Sequence, residues 1–145
     1  MKPLAKASTH KLKVWKNICV DFMKAYQQKK VDEMISLCHP ESTVWFKPLG
    51  DQGKGKVHEF GKVLWSNLIE CFPNLDNTVH SIISEDVMIK CVVSIRGTQD
   101  KDFAGIENKG GSFDADHIFV FEMEDQKIKH VDVTWDHEDF ITQLS

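Results

Sequence analysis

The sequence lacks the features that would assign it to a membrane, secreted or nucleic-acid-binding class. No apolar run has the length of a signal peptide or of a membrane-spanning helix. The formal net charge is −4, whereas a general nucleic-acid binder normally has a basic excess. We therefore expect a cytoplasmic protein that binds neither nucleic acid nor membrane.

Motifs of metal and phosphate sites are also lacking. The four cysteines are widely spaced and form no C-x-x-C pair, and no two histidines have the helical spacing of a zinc site. The glycines of residues 50–55 are not followed by the Lys-Ser/Thr ending of a P-loop. The sequence therefore predicts buried free thiols, no metal and no cofactor.

What is present has the size and composition of one globular domain, at 145 residues with 41% apolar and 28% charged residues. Helical periodicity predicts helices in the first half, at residues 9–30, 31–38 and 57–72, with a short strand at 42–47. Alternation predicts strands in the second half, at 78–84, 87–98, 113–123 and from 127 onward. This order indicates a single α+β domain over residues 1–145.

The last strand carries the densest group of ionisable residues. His130, Asp132 and Asp136 are spaced by even numbers, so a regular strand places them on one face. This face is either the solvent side of an edge strand or a cavity lining, and Ile128 on the same face favours the cavity. The alternate residues Val131, Val133 and Trp135 are also apolar, so both faces of the strand would be covered.

His117 is the most suggestive single residue. It interrupts an otherwise apolar row formed by Phe113, Ala115, Phe119 and Phe121. Either it is a core histidine with satisfied hydrogen bonds, or it lines a cavity. An acid on the neighbouring last strand could orient it, and an oriented histidine is a plausible general acid or base near neutral pH.

Several aromatic residues are ordinary core candidates and, alternatively, candidates to line a pocket for a flat or apolar ligand. Two polar residues, Gln99 and His130, are added to these aromatic candidates. The candidate ligand-binding residues are therefore Tyr26, Trp45, Trp65, Gln99, Phe119 and His130.

The order of the motifs resembles the SnoaL-like polyketide cyclase group of the NTF2-like superfamily. The helix-to-turn stretch FMKAYQQKKVDEMISLCHPE resembles the opening of that family, and the Phe72-Pro73 step resembles the break after its third helix. Gly97-Thr98-Gln99 resembles a Gly-Thr-His pattern, and Trp135-Asp136 followed by Gln143-Leu144 resembles the family's ending.

The resemblance implies a cone-shaped α+β fold, with three helices packed on a curved, mostly antiparallel sheet around a pocket. In the family an aspartate at the end of the last strand acts as acid/base, a role that would fall to Asp136. Gln99 stands where the family usually has histidine, and Asp132 where tryptophan is common.

Two functional hypotheses follow. The first is a small cofactor-free enzyme that performs acid/base chemistry on a hydrophobic carbonyl compound, with Asp136 as the catalytic group and His117 or Asp132 setting its pKa. The second is a non-catalytic small-molecule-binding or dimeric accessory protein. If the acids face inward, Val133 and Trp135 lie on the outer face, which predicts a homodimer packed sheet against sheet.

Overall fold

The computed structural model of the chain describes residues 9–145. Its centre is a six-stranded sheet in the order β2-β1-β6-β5-β4-β3. The strands are β1 Cys38–Phe46, β2 Lys54–Lys56, β3 Asp76–Glu85, β4 Met88–Thr98, β5 Ser112–Glu124 and β6 Lys127–Trp135. All neighbouring strands are antiparallel except β1 and β6, which are parallel. The predicted α+β class with a mostly antiparallel sheet is confirmed.

Helices cover one face of this sheet. They are α1 Thr9–Gln27, α2 Val31–Ser36, α3 Lys62–Cys71 and α4 His137–Leu144. α1 ends where Lys29 adopts a positive φ of 63°, and the Lys30 N–H then donates to the Ala25 carbonyl at 2.8 Å. A π-helical turn at Val57–Gly61 leads into α3, so the predicted helix over residues 57–72 begins irregularly.

The helices are held to the sheet by an aromatic core. Phe22 of α1 is fully buried, with ring centroids 5.5 Å from Trp65 of α3 and 5.2 Å from Phe121 of β5. Edge-on contacts of this kind add to the hydrophobic effect of burying each ring. Phe22 therefore joins three elements that are distant in sequence.

A β-bulge determines which residues of β6 face the helices. Met123 pairs with Ile128, but the preceding residue of β5, Glu122, pairs with His130, so Lys129 is an extra residue in β6. Such an insertion reverses the alternation of side chains along the strand. Ile128 is therefore buried together with Val131 and Val133, on the side of the helices.

This bulge corrects the predicted faces of β6. Asp132 pairs with Val120, and both lie on the face away from the helices, whereas Val133 pairs with Phe119 on the covered face. The expectation that Asp132 faces the cavity is wrong, whereas Asp136 follows the end of β6 and is exposed at the start of α4. The expectation that Val133 and Trp135 are at the centre of an outer dimer surface is wrong for the same reason.

Within the described residues, no helix is both long and apolar enough to cross a membrane.

Candidate active site

A small cavity lies between the helices and the sheet, close to the end of β6. Its volume is about 40 Å³. It is lined almost entirely by aromatic and aliphatic side chains from α1, α3, α4, the sheet, and the β1–β2 and β4–β5 connectors. They are Tyr26, Phe46, Leu49, Leu64, Trp65, Leu68, Ile95, Phe103, Phe113, His117, Phe119, Val133, Trp135, His137 and Phe140.

His117 is the most deeply buried titratable base of this cavity, with 8% of its surface exposed. Its Nδ1 lies 3.0 Å from the Ala115 carbonyl oxygen. A carbonyl oxygen only accepts hydrogen bonds, so Nδ1 carries the proton and the Nε2 of the neutral ring is left with a lone pair. Within residues 9–145 this Nε2 has no hydrogen-bond partner.

Burial keeps His117 neutral. Loss of solvent lowers its pKa from 6.5 to about 4, although the Ala115 carbonyl and the charge of Asp116 both act in the opposite direction. The ring is also stacked on the indole of Trp135, with centroids 5.4 Å apart and planes at 22°. His117 is thus a neutral imidazole whose orientation is fixed by a hydrogen bond and a stacking contact.

A second histidine, His137, lines the cavity and is linked to His117 through Trp135. The Trp135 Nε1–H donates to His137 Nδ1 at 3.1 Å. The His137 ring also stacks on Phe140, with centroids 5.8 Å apart and planes at 20°. His137 is half-buried and is the first residue of α4, so it lies nearer to solvent than His117.

Tyr26 supplies the third polar group. Its ring is buried against Phe119, and its hydroxyl has no hydrogen-bond partner in the part of the chain that the structure describes. Burial raises the pKa of Tyr26, so the phenol keeps its proton and remains a donor.

Of the aromatic residues predicted to contact a ligand, Tyr26, Trp65 and Phe119 line the cavity, whereas Trp45 does not. The indole N–H of Trp45 donates to the Gly50 carbonyl at 3.0 Å, and the Nζ of Lys54 lies 4.4 Å from the centre of its ring. Trp45 is therefore part of the opposite surface of β1.

His130 and Asp132 lie together on the outer face of the sheet. Their side chains are 2.7 Å apart, and His130 Nδ1 is 2.6 Å from the Thr43 hydroxyl oxygen on β1. Lys47 approaches Asp132 at 3.9 Å. These contacts form a polar group on the far side of β6 from the cavity, so neither residue can touch a ligand bound there.

Asp136 has a structural position at the start of α4. Its carboxylate accepts a hydrogen bond from the Asp139 N–H at 3.0 Å, which caps the helix. Gln99 is buried beside the β4–β5 connector, where its amide donates to the Lys101 and Ile106 carbonyls at 3.1 and 2.9 Å. Neither residue lines the cavity.

The cysteines provide no nucleophile. All four are buried free thiols. Burial raises the pKa of Cys38 and of Cys91 to about 12, and it raises the pKa of Cys71 as well. A thiol is nucleophilic only as the thiolate, so these side chains are inert near neutral pH.

Trp135 and His137 were missed from the sequence as site residues. The available signal was that Val131, Val133 and Trp135, at alternate positions, are all apolar. The residues between and beside them, such as His130 and Asp132, are polar, so the apolar residues mark the covered face. Once Trp135 is placed on that face, His137 follows two residues later.

Comparisons with known proteins agree with this architecture. A family model described as a SnoaL-like domain matches residues 20–131. No curated protein matches the chain. A solved structure from Jannaschia sp. CCS1, assigned as a SnoaL-like polyketide cyclase, has a TM-score of 0.82 and 16% identity over 100% of this chain and 96% of its own.

Two further solved structures are similar. TsrD from Streptomyces laurentii has a TM-score of 0.80 and 17% identity over 92% of this chain and 96% of its own. IdmH from Streptomyces antibioticus, assigned as a polyketide cyclase, has a TM-score of 0.74 and 18% identity over 88% of this chain and 96% of its own. At these identities the likeness establishes the fold alone.

The burial of His117 predicts a specific dependence of stability on pH. Because its pKa falls from 6.5 to about 4 on folding, the unfolded chain binds more protons than the folded one between these values. Above pH 6.5, His117 should therefore cause no change in the free energy of unfolding with pH. Below pH 6.5, it should decrease the free energy of unfolding by about 1.4 kcal/mol per pH unit. Denaturant unfolding of the wild type and of His117→Gln, between pH 7.5 and 5, measures this slope. Parallel pH curves for the two proteins would show that His117 is not buried in the neutral form.

Proposed function

Because the chain belongs to the SnoaL-like domain family, we propose that its cavity binds a small, flat carbonyl compound and that His117 exchanges a proton with this ligand. The observation that carries the proposal is the buried, neutral His117, whose Nε2 faces an aromatic cavity and has no hydrogen-bond partner among the described residues. A neutral imidazole held in a single orientation can accept a proton without first rearranging.

The charge state of His117 suits transient proton transfer. In the ligand-free cavity its pKa of about 4 makes it a weak base at neutral pH. When it takes a proton from a carbon next to a carbonyl group, the ligand becomes an enolate. The imidazolium and the enolate then stabilise each other across a cavity with little water, which raises the pKa of His117 at that moment.

Tyr26 is suited to bind the carbonyl oxygen. Its hydroxyl keeps its proton because burial raises its pKa. A phenol that donates to a carbonyl oxygen stabilises the negative charge that develops there when the adjacent carbon loses a proton. His117 and Tyr26 would thus supply the base and the hydrogen-bond donor of one reaction.

The dimensions of the cavity restrict the ligand. Pockets for drug-sized compounds are on the order of 300–1,000 Å³, whereas this cavity has about 40 Å³. A cavity of about 150 Å³ holds one benzene ring, so a single-ring compound enters this cavity only if the lining side chains move apart. A multi-ring polyketide would need far larger movements. The polyketide assignment of the similar structures is not carried over to this chain.

Ligand binding without catalysis is the second candidate function. It is favoured by the absence of any carboxylate among the described lining residues, because the predicted acid/base Asp136 caps α4 instead. In this case His117 and Tyr26 would only form hydrogen bonds with the ligand.

Isomerisation of 3-cyclohexenone to 2-cyclohexenone tests proton transfer with a single-ring probe. His117 would remove a proton from C2, between the carbonyl group and the double bond, and the resulting dienolate would take the proton back at C4. We expect the wild type to accelerate this change, followed by ultraviolet absorbance, and His117→Asn to reduce the rate by about 100-fold.

His117→Asn is a matched variant because the asparagine amide can still donate a hydrogen bond to the Ala115 carbonyl. The substitution removes the Nε2 atom, which is the proposed proton acceptor. Binding of the probe to both proteins is measured by NMR. If both proteins bind the probe and isomerise it at the same rate, ligand binding without catalysis would remain as the function. Absence of probe binding to the wild type would contradict the proposal.

A homodimer through the outer face of the sheet remains a prediction, but Val133 and Trp135 are no longer part of the predicted surface. The outer face carries half-buried Val92, Ile118 and Val120 among polar residues. A second copy is the partner we propose, because two-fold homodimers are the commonest soluble assemblies. Sedimentation should show a dimer for the wild type and a monomer for Val120→Lys. A monomeric wild type at micromolar concentration, or an unchanged variant, would reject this surface.

A further inference from the structure

The two histidines of the cavity are held in opposite neutral tautomers. His117 Nδ1 faces the Ala115 carbonyl, which can only accept, so its proton lies on Nδ1. His137 Nδ1 faces the Trp135 indole N–H, which can only donate, so the proton of neutral His137 lies on Nε2. One ring therefore offers an acceptor at Nε2, and the other offers a donor at the same atom.

Both Nε2 atoms are available to a ligand. Neither has a hydrogen-bond partner within residues 9–145, and both rings line the same cavity. Each ring is also fixed by stacking, His117 on Trp135 and His137 on Phe140. Rings that are held on one side by stacking and at Nδ1 by a hydrogen bond lose little entropy when a ligand binds.

The two positions differ in depth. His117 is buried, whereas His137 is half-buried at the start of α4. A flat ligand in the cavity thus meets an acceptor at its inner end and a donor at the end nearer to solvent. Apart from Tyr26, the other lining residues are aromatic or aliphatic.

We infer that His137 is a specificity-determining residue, and that the ligand is a single-ring compound with a hydroxyl or acidic C–H group toward His117 and a carbonyl oxygen toward His137. A carbonyl oxygen has two lone pairs, so it can accept from His137 in addition to Tyr26. This inference rests on the proposed function because it assumes that the cavity is the binding site. Trp135 acts as a positioning residue, since its N–H selects the tautomer that makes His137 a donor.

4-Hydroxyacetophenone has this pattern and serves as the probe, with 4-ethylphenol as the analogue that lacks the carbonyl oxygen. One net hydrogen bond corresponds to about a fivefold difference in Kd. We expect the wild type to bind 4-hydroxyacetophenone about fivefold more tightly than 4-ethylphenol, as measured by calorimetry or NMR titration.

Two substitutions of His137 separate the roles of its nitrogens. In His137→Asn the amide oxygen can still accept from the Trp135 N–H, but the Nε2–H donor is removed, so the preference for the carbonyl compound should disappear. In His137→Gln the longer amide can place an N–H near the former Nε2, so part of the preference should remain. A loss of folding would weaken the binding of both probes equally. The ratio of their two Kd values therefore reports only the loss of the donor.

Nitrogen-15 NMR of the imidazoles gives a readout that needs no ligand. The expected spectrum of the wild type at neutral pH shows protonated Nδ1 in His117 and protonated Nε2 in His137. Trp135→Phe keeps a ring against His117 but removes the N–H, so His137 should become a mixture of tautomers.

The same tautomer in both histidines would overturn the inference, as would an unchanged carbonyl preference in His137→Asn. In that second case, continued dependence of 3-cyclohexenone isomerisation on His117 would leave the proposed function intact. If neither phenol derivative nor 3-cyclohexenone binds the wild type, both proposals are wrong.

Discussion

The extra residue at Lys129 is the constraint on which the site depends. It reverses the alternation of β6 after Ile128, so that Val131, Val133 and Trp135 face the helices. Without the bulge, Asp132 would point into an apolar cavity, where an unpaired carboxylate costs several kcal/mol. With the bulge, Asp132 pairs with His130 on the outer face.

The bulge also determines the chemistry of the cavity. It brings the indole of Trp135 against His117 of the neighbouring strand, where the two residues are register partners. The same indole then holds His137 through its N–H. The titratable groups left in the cavity lining are therefore two histidines and one tyrosine. A family pattern based on an aspartate has no counterpart in this cavity, because Asp136 caps α4.

The fold was predictable from periodicity, and the site only in part. Helical spacing identified the regions of α1 and α3, and alternation identified β3, β4 and β5, because long amphipathic patterns report directly which side is buried. His117 was distinguishable for the same reason, as one polar residue in the apolar row of β5. The face of β6 was not predictable from a period of two, since a bulge shifts that period within the strand. The parallel pairing of β1 with β6 is likewise a tertiary feature that no local pattern encodes.

The central claim is that a ligand binds beside His117 rather than on the polar outer face of β6. A crystal structure of the protein with phenol tests it most directly. The account predicts phenol within the cavity, with its hydroxyl oxygen about 2.7–3.2 Å from His117 Nε2. Phenol bound instead beside His130 and Asp132, or bound in the cavity with its hydroxyl directed away from His117, would contradict it.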